Sequence, residues 1–433
     1  MSLISGCGGG GGGSSGSPAP TGPPGALDPS FGNRGAVITP TGSNAYIDAV
    51  LVQSNGMIVV AGTSTPPGAD FQMLVVRYTA DRALDTGFGA GGFVRKAPFG
   101  MAQEAIGVAE QPDGKLVVLG AMTNESPGNA LMRLAGNGAV DGTFGSAGVV
   151  SSFSVAGGGG QWSGIAIQPD GRILVAETEV SAGEIGVVRL EPDGSLDMSF
   201  GADGEALAPA PPAEIPGPRT VTAPAIALQP DGKIVVAAHF DQARGTLGDF
   251  VQVTAQIARF AANGAPDPGF GQGGQTTLSE MDEPGRRTPI ALALQADGRM
   301  LLEVPGGVTR LLPNGAVDTA YGVGGTAPGI GGHLALQPNG KLVTAQTAVI
   351  GDSRTTFALS HYVTDGAVDT SFGSGGVSVI ALGTDSLVGG VAIQPDGRIV
   401  VAGYEGPDQV SDSGAGSVVV ARYFGDPASS TQR

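Results

Sequence analysis

The feature that most constrains the fold is a twelve-residue motif that occurs seven times in the chain. Each copy has an Asp-Gly or Asn-Gly pair between two apolar segments, as in AIQPDGRILVAE at 166–177. The Asp or Asn side chain bonds to nearby backbone and Gly accepts positive φ, so the motif predicts two strands joined by a tight turn. Asn55 and Asn339 would keep that turn without a charge. We therefore interpret the repeated Asp-Gly pairs as scaffold rather than as catalytic or metal sites.

A second motif, Asp-x-x-aromatic-Gly, occurs once in each repeat unit. Its Asp residues are 51 to 70 positions apart, which indicates one supersecondary unit repeated along the chain. We expect each Asp to cap a turn through backbone N–H groups and the aromatic residue to fill the space between units, with calcium at each Asp as the alternative. The seven positions are Asp28, Asp85, Asp141, Asp197, Asp267, Asp318 and Asp369.

The units predict strands and no helices. Each unit contains four strand candidates rich in Val, Ile and Leu, and helix caps followed by a 3.6-residue pattern are absent. We therefore predict an all-β fold, a seven-bladed β-propeller of four-stranded antiparallel blades. The chain begins with a fourth strand and ends with a third strand, so we expect the N-terminal strand to complete the last blade and leave no open sheet edge. The predicted divisions are a disordered Gly/Ser/Pro tether at 1–25, the propeller at 26–425 and a disordered tail at 426–433.

The combined pattern resembles a known repeat family. QPDGKIVVAG-like segments, an Arg-aromatic or Arg-Leu pair and the Asp-x-x-aromatic-Gly motif follow one another in order, with His361 in the place of Arg in one copy. This order resembles the delta-60 repeats of bacterial secreted and surface proteins over about residues 26–425. The resemblance implies a β-propeller in an extracytoplasmic setting, and that family has no general enzymatic assignment.

The N-terminus contains a candidate lipidation motif. Residues Leu3 to Cys7 resemble a bacterial lipobox, which implies lipidation of Cys7 and attachment of the protein to a membrane by that lipid alone. Residues 8–25 contain only Gly, Ser, Pro, Ala and Thr and are typical of a flexible tether. Only six residues precede Cys7, fewer than a signal peptide needs, so a disordered tail with an accidental cysteine is the alternative. We expect an extracytoplasmic bacterial lipoprotein, or otherwise a secreted protein.

Composition argues against nucleic-acid binding, intrachain disulfides and a histidine metal site. The net charge of −17 disfavours nucleic acid, because binding to phosphates needs clustered Lys and Arg. The single cysteine allows no intrachain disulfide. The three histidines lack the spacing of metal ligands. We therefore predict no cofactor, no metal site and no catalytic residue, and we expect a monomer.

The repeats differ most in the connections opposite the Asp-Gly turns. Variable loops on a rigid scaffold commonly carry binding sites. We place Trp162 and His239 on this variable-loop face and His333 near its central opening, as candidate ligand contacts. Packing within the core is the alternative for His333. The predicted function is non-enzymatic binding of a protein or glycan, or a structural surface role. The alternative is a hydrolase or lyase with its site at the axial mouth of the propeller.

Overall fold

The chain folds into strands and turns. The computed structural model describes residues 22–80, 83–98, 103–122, 129–151, 161–179, 184–211, 219–221, 224–243, 251–282, 291–304, 306–329, 331–351, 354–380, 385–406 and 416–426. No segment within these ranges is α-helical. The described part of the chain accordingly contains no helix long and apolar enough to cross a membrane. Cys7 and the rest of the predicted tether up to residue 21 lie outside the described residues.

The described strands form seven antiparallel sheets, and the predicted all-β propeller class is confirmed. The residues divide between two compact units, one within Met1–Gly120, Leu134–Val140 and His333–Arg433 and the other within Ala121–Arg133 and Asp141–Gly332. We number the sheets as blades 1 to 7 along the chain. Consecutive strands pair within the blades, except that the fourth strand of blade 7 comes from the start of the chain and that two segments of blade 4 pair with the same strand.

Three blades lie in the first unit. Blade 1 contains β2 (Asn44–Val52), β3 (Ile58–Thr65), β4 (Gln72–Tyr78) and β5 (Phe93–Lys96). Blade 6 contains β23 (His333–Leu336), β24 (Leu342–Ile350), β25 (Arg354–Tyr362) and β26 (Val377–Ile380). Blade 7 contains β27 (Ser386–Ile393), β28 (Ile399–Glu405), β29 (Ser417–Tyr423) and, from the start of the chain, β1 (Ala36–Pro40).

Three further blades lie in the second unit, and blade 2 has strands in both units. Blade 2 contains β6 (Gln103–Glu110), β7 (Leu116–Met122), β8 (Asn129–Leu134) and β9 (Val149–Ser151). Blade 3 contains β10 (Gln161–Ile167), β11 (Ile173–Glu179), β12 (Glu184–Leu190) and β13 (Glu205–Ala208). Blade 4 contains β14 (Arg219–Val221), β15 (Ala225–Leu228), β16 (Ile234–Ala243), β17 (Val251–Phe260) and β18 (Gln275–Asp282). Blade 5 contains β19 (Leu292–Leu294), β20 (Met300–Val304), β21 (Gly307–Leu311) and β22 (Thr326–Pro328).

Blade 4 has five strand segments rather than the four expected. Both β14 and β15 pair with β16, Val221 opposite Phe240 and Ala225 opposite Ala237. Val221 and Ala225 are four positions apart in the chain, whereas their partners Phe240 and Ala237 are three positions apart. Both segments therefore pair with β16 as one first strand would, with a shift of one residue in register. The four-strand plan of the blade is therefore kept.

The Asp-Gly turns form as predicted. In blade 3 the Asp170 carboxylate accepts a hydrogen bond from the Arg172 N–H at 3.1 Å, and Gly171 has a φ of 88°. The equivalent Asp or Asn side chain accepts from the backbone N–H two residues later in the other six copies. Asn and Asp make the same bond, so the carboxylate charge has no part in the turn.

The N-terminal strand completes the last blade, as predicted. Strand β1 pairs antiparallel with β29, from Ala36 opposite Ala421 to Pro40 opposite Ser417. Hydrogen bonds between the Asp28 N–H and the Arg422 carbonyl (2.8 Å) and between the Arg422 N–H and the Gly35 carbonyl (2.9 Å) extend this contact. The outer edge of β29 is thereby paired with chain from the opposite terminus.

The first strands of neighbouring blades approach closely at small residues. At Gly389, in a bulge of β27, an added Cβ would lie 2.0 Å from the Ile47 carbonyl oxygen of β2. At Gly390 it would lie 2.9 Å from a methyl group of Val50. Apolar side chains fill the remaining space between these two blades, since Val60, Leu74, Val400 and Val418 belong to one buried cluster. Small residues thus allow the blades to pack.

We expect the pairing of β1 with β29 to dominate the stability of the first unit. A chain that starts at residue 41 should lose at least about 3 kcal/mol of unfolding free energy, because it also leaves the buried Arg422 without the Asp28 carboxylate. A chain that starts at residue 22 is the matched control and should unfold like the full chain. Chemical denaturation of the three proteins measures the difference, and equal stability of the 41-start chain would refute closure by β1.

Candidate functional site

The Asp of the second motif caps a turn, as predicted, and also binds an arginine. In blade 3 one carboxylate oxygen of Asp197 accepts a hydrogen bond from the Ser199 N–H at 3.0 Å. The other oxygen accepts from Arg189 Nε at 2.7 Å. The Arg189 guanidinium also lies 4.5 Å from the centre of the fully buried Phe200 ring. We call this Arg–Asp–aromatic arrangement the latch.

The latch also joins neighbouring blades. Arg189 Nη1 donates to the Ala262 carbonyl of blade 4 at 2.6 Å, and the Gly201 N–H donates to the Asn263 carbonyl at 2.8 Å. Arg133 makes the equivalent bond to the Pro192 carbonyl, and Arg422 to the Ala80 carbonyl. One guanidinium therefore neutralises a carboxylate, stacks on an aromatic ring and holds the next turn.

The same ion pair occurs in all repeats but one, where histidine replaces arginine. The pairs are Arg77–Asp85, Arg133–Asp141, Arg189–Asp197, Arg259–Asp267, Arg310–Asp318 and Arg422–Asp28, with His361–Asp369 as the exception. Sequence analysis predicted the cap but missed this pair. The signal was present, because the basic residue precedes its Asp by eight positions in every unit except the one that joins the chain ends.

The latch carboxylates are bound by basic side chains. In each of the seven copies an arginine or histidine nitrogen lies at the second carboxylate oxygen, the position that a cation would need. Burial by itself raises the pKa of Asp197, but hydrogen bonds from Ser199 and the charge of Arg189 outweigh it and hold the pKa below its ordinary value. The carboxylate stays ionised and serves as the partner of Arg189.

Blade 6 brings four charged or titratable groups together. His361 Nδ1 lies 3.0 Å from Asp369 Oδ2, and the ammonium of Lys341 lies 2.6 Å from the same oxygen and 2.8 Å from Asp426 Oδ2. Within the described residues, His361, Asp369 and Asp426 form the one group with the composition and spacing that a metal would require. The Lys341 ammonium already bridges both carboxylates, so we interpret the group as an ion-pair network.

The predicted ligand contacts lie in strands rather than in exposed loops. Trp162 in β10 is 2% exposed, and its carbonyl accepts a hydrogen bond from the Asn129 side chain at 2.7 Å. His239 in β16 is 3% exposed and lies opposite Ala255. His333 begins β23 opposite Ala345, and burial lowers its pKa to about 3. The structure does not bring these three residues together, and a ligand role for each stays a prediction.

The variable-loop face is described only in part. The connection at 64–70 is described, whereas 123–128, 156–160, 212–218, 244–249, 283–288 and 407–415 lie outside the described residues. A pair of aromatic residues at this end of the blades is described. Tyr46 and Tyr404, both half-buried, form an edge-to-face pair with centroids 4.7 Å apart. They stand at the ends of β2 and β28 that lie away from the Asp-Gly turns.

Two carboxyl groups on neighbouring first strands have raised pKa values. Asp48 lies in a bulge of β2, and burial raises its pKa to about 6, with the nearby Glu104 carboxylate acting in the same direction. Burial also raises the pKa of Glu104 in β6. A carboxyl that takes up a proton near neutral pH can serve as a general acid or base. Sequence analysis found no feature that singled out this pair, because a bulge is not visible in a single sequence.

We expect the latch carboxylate to matter far more for stability than the turn carboxylate. Asp197→Asn keeps the side-chain shape but leaves the buried Arg189 charge unpaired, which should cost about 3 kcal/mol. Asp170→Asn in the same blade is the control. It removes an exposed ion pair with Arg172, and should cost less than about 1 kcal/mol. Urea denaturation of both variants tests this, and equal losses would contradict a structural role for the latch.

Comparison with known proteins agrees with the blade structure. The model of a family described as "Domain of unknown function (DUF5122) beta-propeller" matches residues 53–88, 111–144, 168–200, 229–270 and 394–426. Each of the first four segments runs from the Gln of the turn motif to the aromatic residue of the latch. A search of curated proteins found no significant match.

Several solved structures are similar in fold over most of the chain. A protein of unknown function from Dyadobacter fermentans is 14% identical, with 90% of this chain and 98% of that chain covered and a TM-score of 0.41. An alpha-L-arabinanase from Penicillium chrysogenum is 9% identical, with 90% and 98% covered and a TM-score of 0.47. A polysaccharide lyase, the PL25 ulvan lyase, is 10% identical, with 88% and 95% covered and a TM-score of 0.47. These values carry no argument about activity. The family match and the seven four-stranded sheets identify the chain as a β-propeller repeat protein.

Proposed function

We propose that the protein acts by non-enzymatic binding, through the variable-loop face, in the envelope of a bacterium. The observation that carries the proposal is the use of the repeated polar residues. The seven latch carboxylates bind arginine or histidine, and the turn carboxylates and amides bind their own backbone. Recognition therefore falls to the residues that differ among repeats, which concentrate at the other end of the blades.

A glycan is the ligand class that the described residues favour, with a protein as the alternative. Tyr46 and Tyr404 present two half-buried aromatic side chains at the variable-loop end of blades 1 and 7. Aromatic faces pack against the apolar faces of sugars. The acidic chain, with a net charge of −17, favours a neutral or cationic ligand over a polyanion.

The proposed setting is extracytoplasmic. A lipid on Cys7 would attach the propeller to a membrane through the Gly/Ser/Pro segment, and the delta-60 resemblance agrees with surface or secreted location. The protein would then act as a monomer held near the membrane by its lipid anchor, or as a secreted form of the same propeller.

Binding can be tested with the full chain on an array of neutral and cationic glycans and synthetic peptides. We expect at least one glycan to bind, and Tyr404→Ala to weaken that binding about tenfold or more through the loss of aromatic contact. Asp113→Asn, at an exposed turn on the opposite end, is the matched control and should bind like the wild type. The proposal would be wrong if Asp113→Asn abolished binding while Tyr404→Ala left it intact, because recognition would then lie at the end of the blades that carries the Asp-Gly turns.

A second candidate, a hydrolase or lyase, is favoured by one observation. Asp48 and Glu104 are carboxyl groups on adjacent first strands, and both have raised pKa values. Such pairs can supply the acid and base of glycoside cleavage. Their strands, β2 and β6, belong to the same compact unit.

An activity assay separates the two candidates. If the protein is an enzyme, incubation with each bound glycan should release new chain ends, and Asp48→Asn should lower the rate at least about a hundredfold with little change in binding. Glu110→Gln, at the far end of β6 where the carboxylate bonds to Gln53, is the control and should leave the rate unchanged. If no bound glycan yields products, the enzymatic candidate is rejected and the binding proposal stands.

A further inference from the structure

In blade 6 a histidine occupies a site that holds a permanent positive charge in the other blades. His361 is fully buried, and its ring stacks on Phe372 with centroids 4.6 Å apart and an interplanar angle of 16°. A guanidinium lies over the equivalent aromatic ring in the other six latches. An imidazole replaces that charge only when both of its nitrogens carry a hydrogen.

Both ring nitrogens of His361 face oxygen atoms that accept. Nδ1 lies 3.0 Å from Asp369 Oδ2, and Nε2 lies 2.6 Å from Gln337 Oε1. The Gln337 amide has a fixed orientation, because its Nε2 donates to the Gly397 carbonyl at 3.1 Å. A reversed amide would place its oxygen against that carbonyl, so Gln337 presents an acceptor to the ring.

Asp369 is also an acceptor, since its carboxyl group is ionised. Its Oδ2 accepts from the Lys341 ammonium at 2.6 Å, and its Oδ1 accepts from the Ser371 N–H at 3.1 Å. Burial by itself raises the pKa of Asp369, but the hydrogen bonds from Lys341 and Ser371 outweigh it and hold the pKa well below its ordinary value. A neutral His361 ring, in either tautomer, has one hydrogen for two acceptors, whereas the imidazolium donates to both.

The charges around the ring also favour the imidazolium. Three charged groups of the described residues face it, with Asp426 Oδ2 3.8 Å from Nε2 and Lys341 bridging Asp369 and Asp426. Two carboxylates and one ammonium leave one negative charge, which a protonated His361 neutralises. Blade 3 shows the contrast, because two arginines there share a single carboxylate.

Burial opposes the charged ring. It is the largest influence on the pKa of His361 and lowers it, and Lys341 acts in the same direction, while Asp426 and Asp369 raise the pKa. Burial of an ion is unfavourable chiefly when its hydrogen bonds to water are not replaced. Both N–H groups of the imidazolium are bonded in this site, one of them to a carboxylate, so the contacts outweigh burial.

The same cluster lies where the two ends of the described chain meet. Asp426, after the last strand, accepts from Asn339 Nδ2 at 3.0 Å in addition to its bond with Lys341. At the other end, the Gly373 N–H donates to the Pro24 carbonyl at 2.9 Å, and Ser378 Oγ donates to the Gly25 carbonyl at 2.7 Å. Blade 6 thus holds residues 22–25 and 424–426, which we call the terminal junction.

We propose that His361 is charged in the closed terminal junction and that its charge helps to hold the chain ends against blade 6, so that loss of the proton at alkaline pH loosens them. The imidazolium is the counterion of Asp426, which belongs to the C-terminal end, and of Asp369, whose loop binds Pro24. A neutral ring leaves one acceptor facing a lone pair and the buried cluster with a net negative charge.

The sign of the pH dependence follows from the two forms of the junction. In the opened junction the ring meets water and has the ordinary pKa of about 6.5, whereas the contacts of the closed junction place the pKa above that value. Below about pH 6.5 both forms are charged and the closed junction has its full stability. As the pH rises, the opened form loses its proton first, and the stability decreases until the closed form has lost its proton too.

An NMR titration of the full chain with labelled histidine tests the charge state directly. Comparison with His361→Gln assigns the His361 signal among the three histidines. We expect its midpoint to lie above the value of about 6.5 for histidine in water. Asp426→Asn removes one carboxylate and should lower the midpoint, while His239→Gln in blade 4 is the control and should leave it unchanged. A midpoint at or below the value in water overturns the proposal.

Hydrogen exchange then tests the effect on the chain ends, at about one pH unit below and above the measured midpoint. After correction for the intrinsic exchange rate, protection of β1 and of residues 416–426 should fall several-fold at the higher pH, while protection of β11 in blade 3 should stay constant. His361→Arg keeps a positive charge and should remove this fall. His361→Gln has no charge to lose and should be equally insensitive to pH, even if arginine does not fit the site. The proposal fails if the wild-type ends keep their protection at the higher pH, or if both variants lose it as the wild type does.

Discussion

The buried pair between the repeated Asp and a basic residue, arginine in six repeats and histidine in one, is the interaction on which the blade structure depends. A buried charge is tolerated only when it is paired and hydrogen-bonded. Asp197 meets this condition with Ser199 at one oxygen and Arg189 at the other, and Arg189 uses its remaining capacity on the carbonyl of Ala262. A pair of this kind adds little net stability over an apolar contact. It does fix the orientation of one blade against the next, because Arg189 contacts the Asp197 carboxylate, the Phe200 ring and the Ala262 carbonyl of the next blade at the same time.

This dependence explains why the residues that recur in every repeat differ from the residues that we propose to bind a ligand. A residue that must recur for blades to pack is committed to a partner within the fold, as Asp197 is to Arg189 and Asp170 to its own backbone. Residues that differ between repeats are free of that requirement. Tyr46, Tyr404 and Asp48 are of this kind, since the equivalent positions of the other repeats hold different residues. The search for a ligand site therefore begins with departures from the repeat.

Sequence reasoning succeeded where the determinants are local. The Asp-Gly turns, the cap by the second Asp and the completion of blade 7 by β1 each follow from a few adjacent residues or from the phase of the repeat. It missed the latch, although the basic residue precedes its Asp by eight positions in six of the seven units, because that spacing alone does not show that the turn brings the two side chains together. It also placed Trp162 on a loop face, whereas the side chain is buried in β10. Burial of a single aromatic residue is set by its neighbours in space, and the motif alone does not give them.

The His361 latch shows what one departure from the repeat can do. The other latches hold a charge that does not titrate, so their contribution is constant over the pH range in which the fold is stable. Replacing arginine by histidine in one blade would leave the stability of the fold unchanged if other contacts alone held that blade to its neighbours. Blade 6 instead holds Pro24 and Asp426, the segments at both chain ends, and closure of blade 7 depends on the first of these segments remaining in place. The substitution of histidine for arginine therefore falls in the blade that contacts both chain ends, whereas the same substitution in blade 3 would change a contact within a continuous chain.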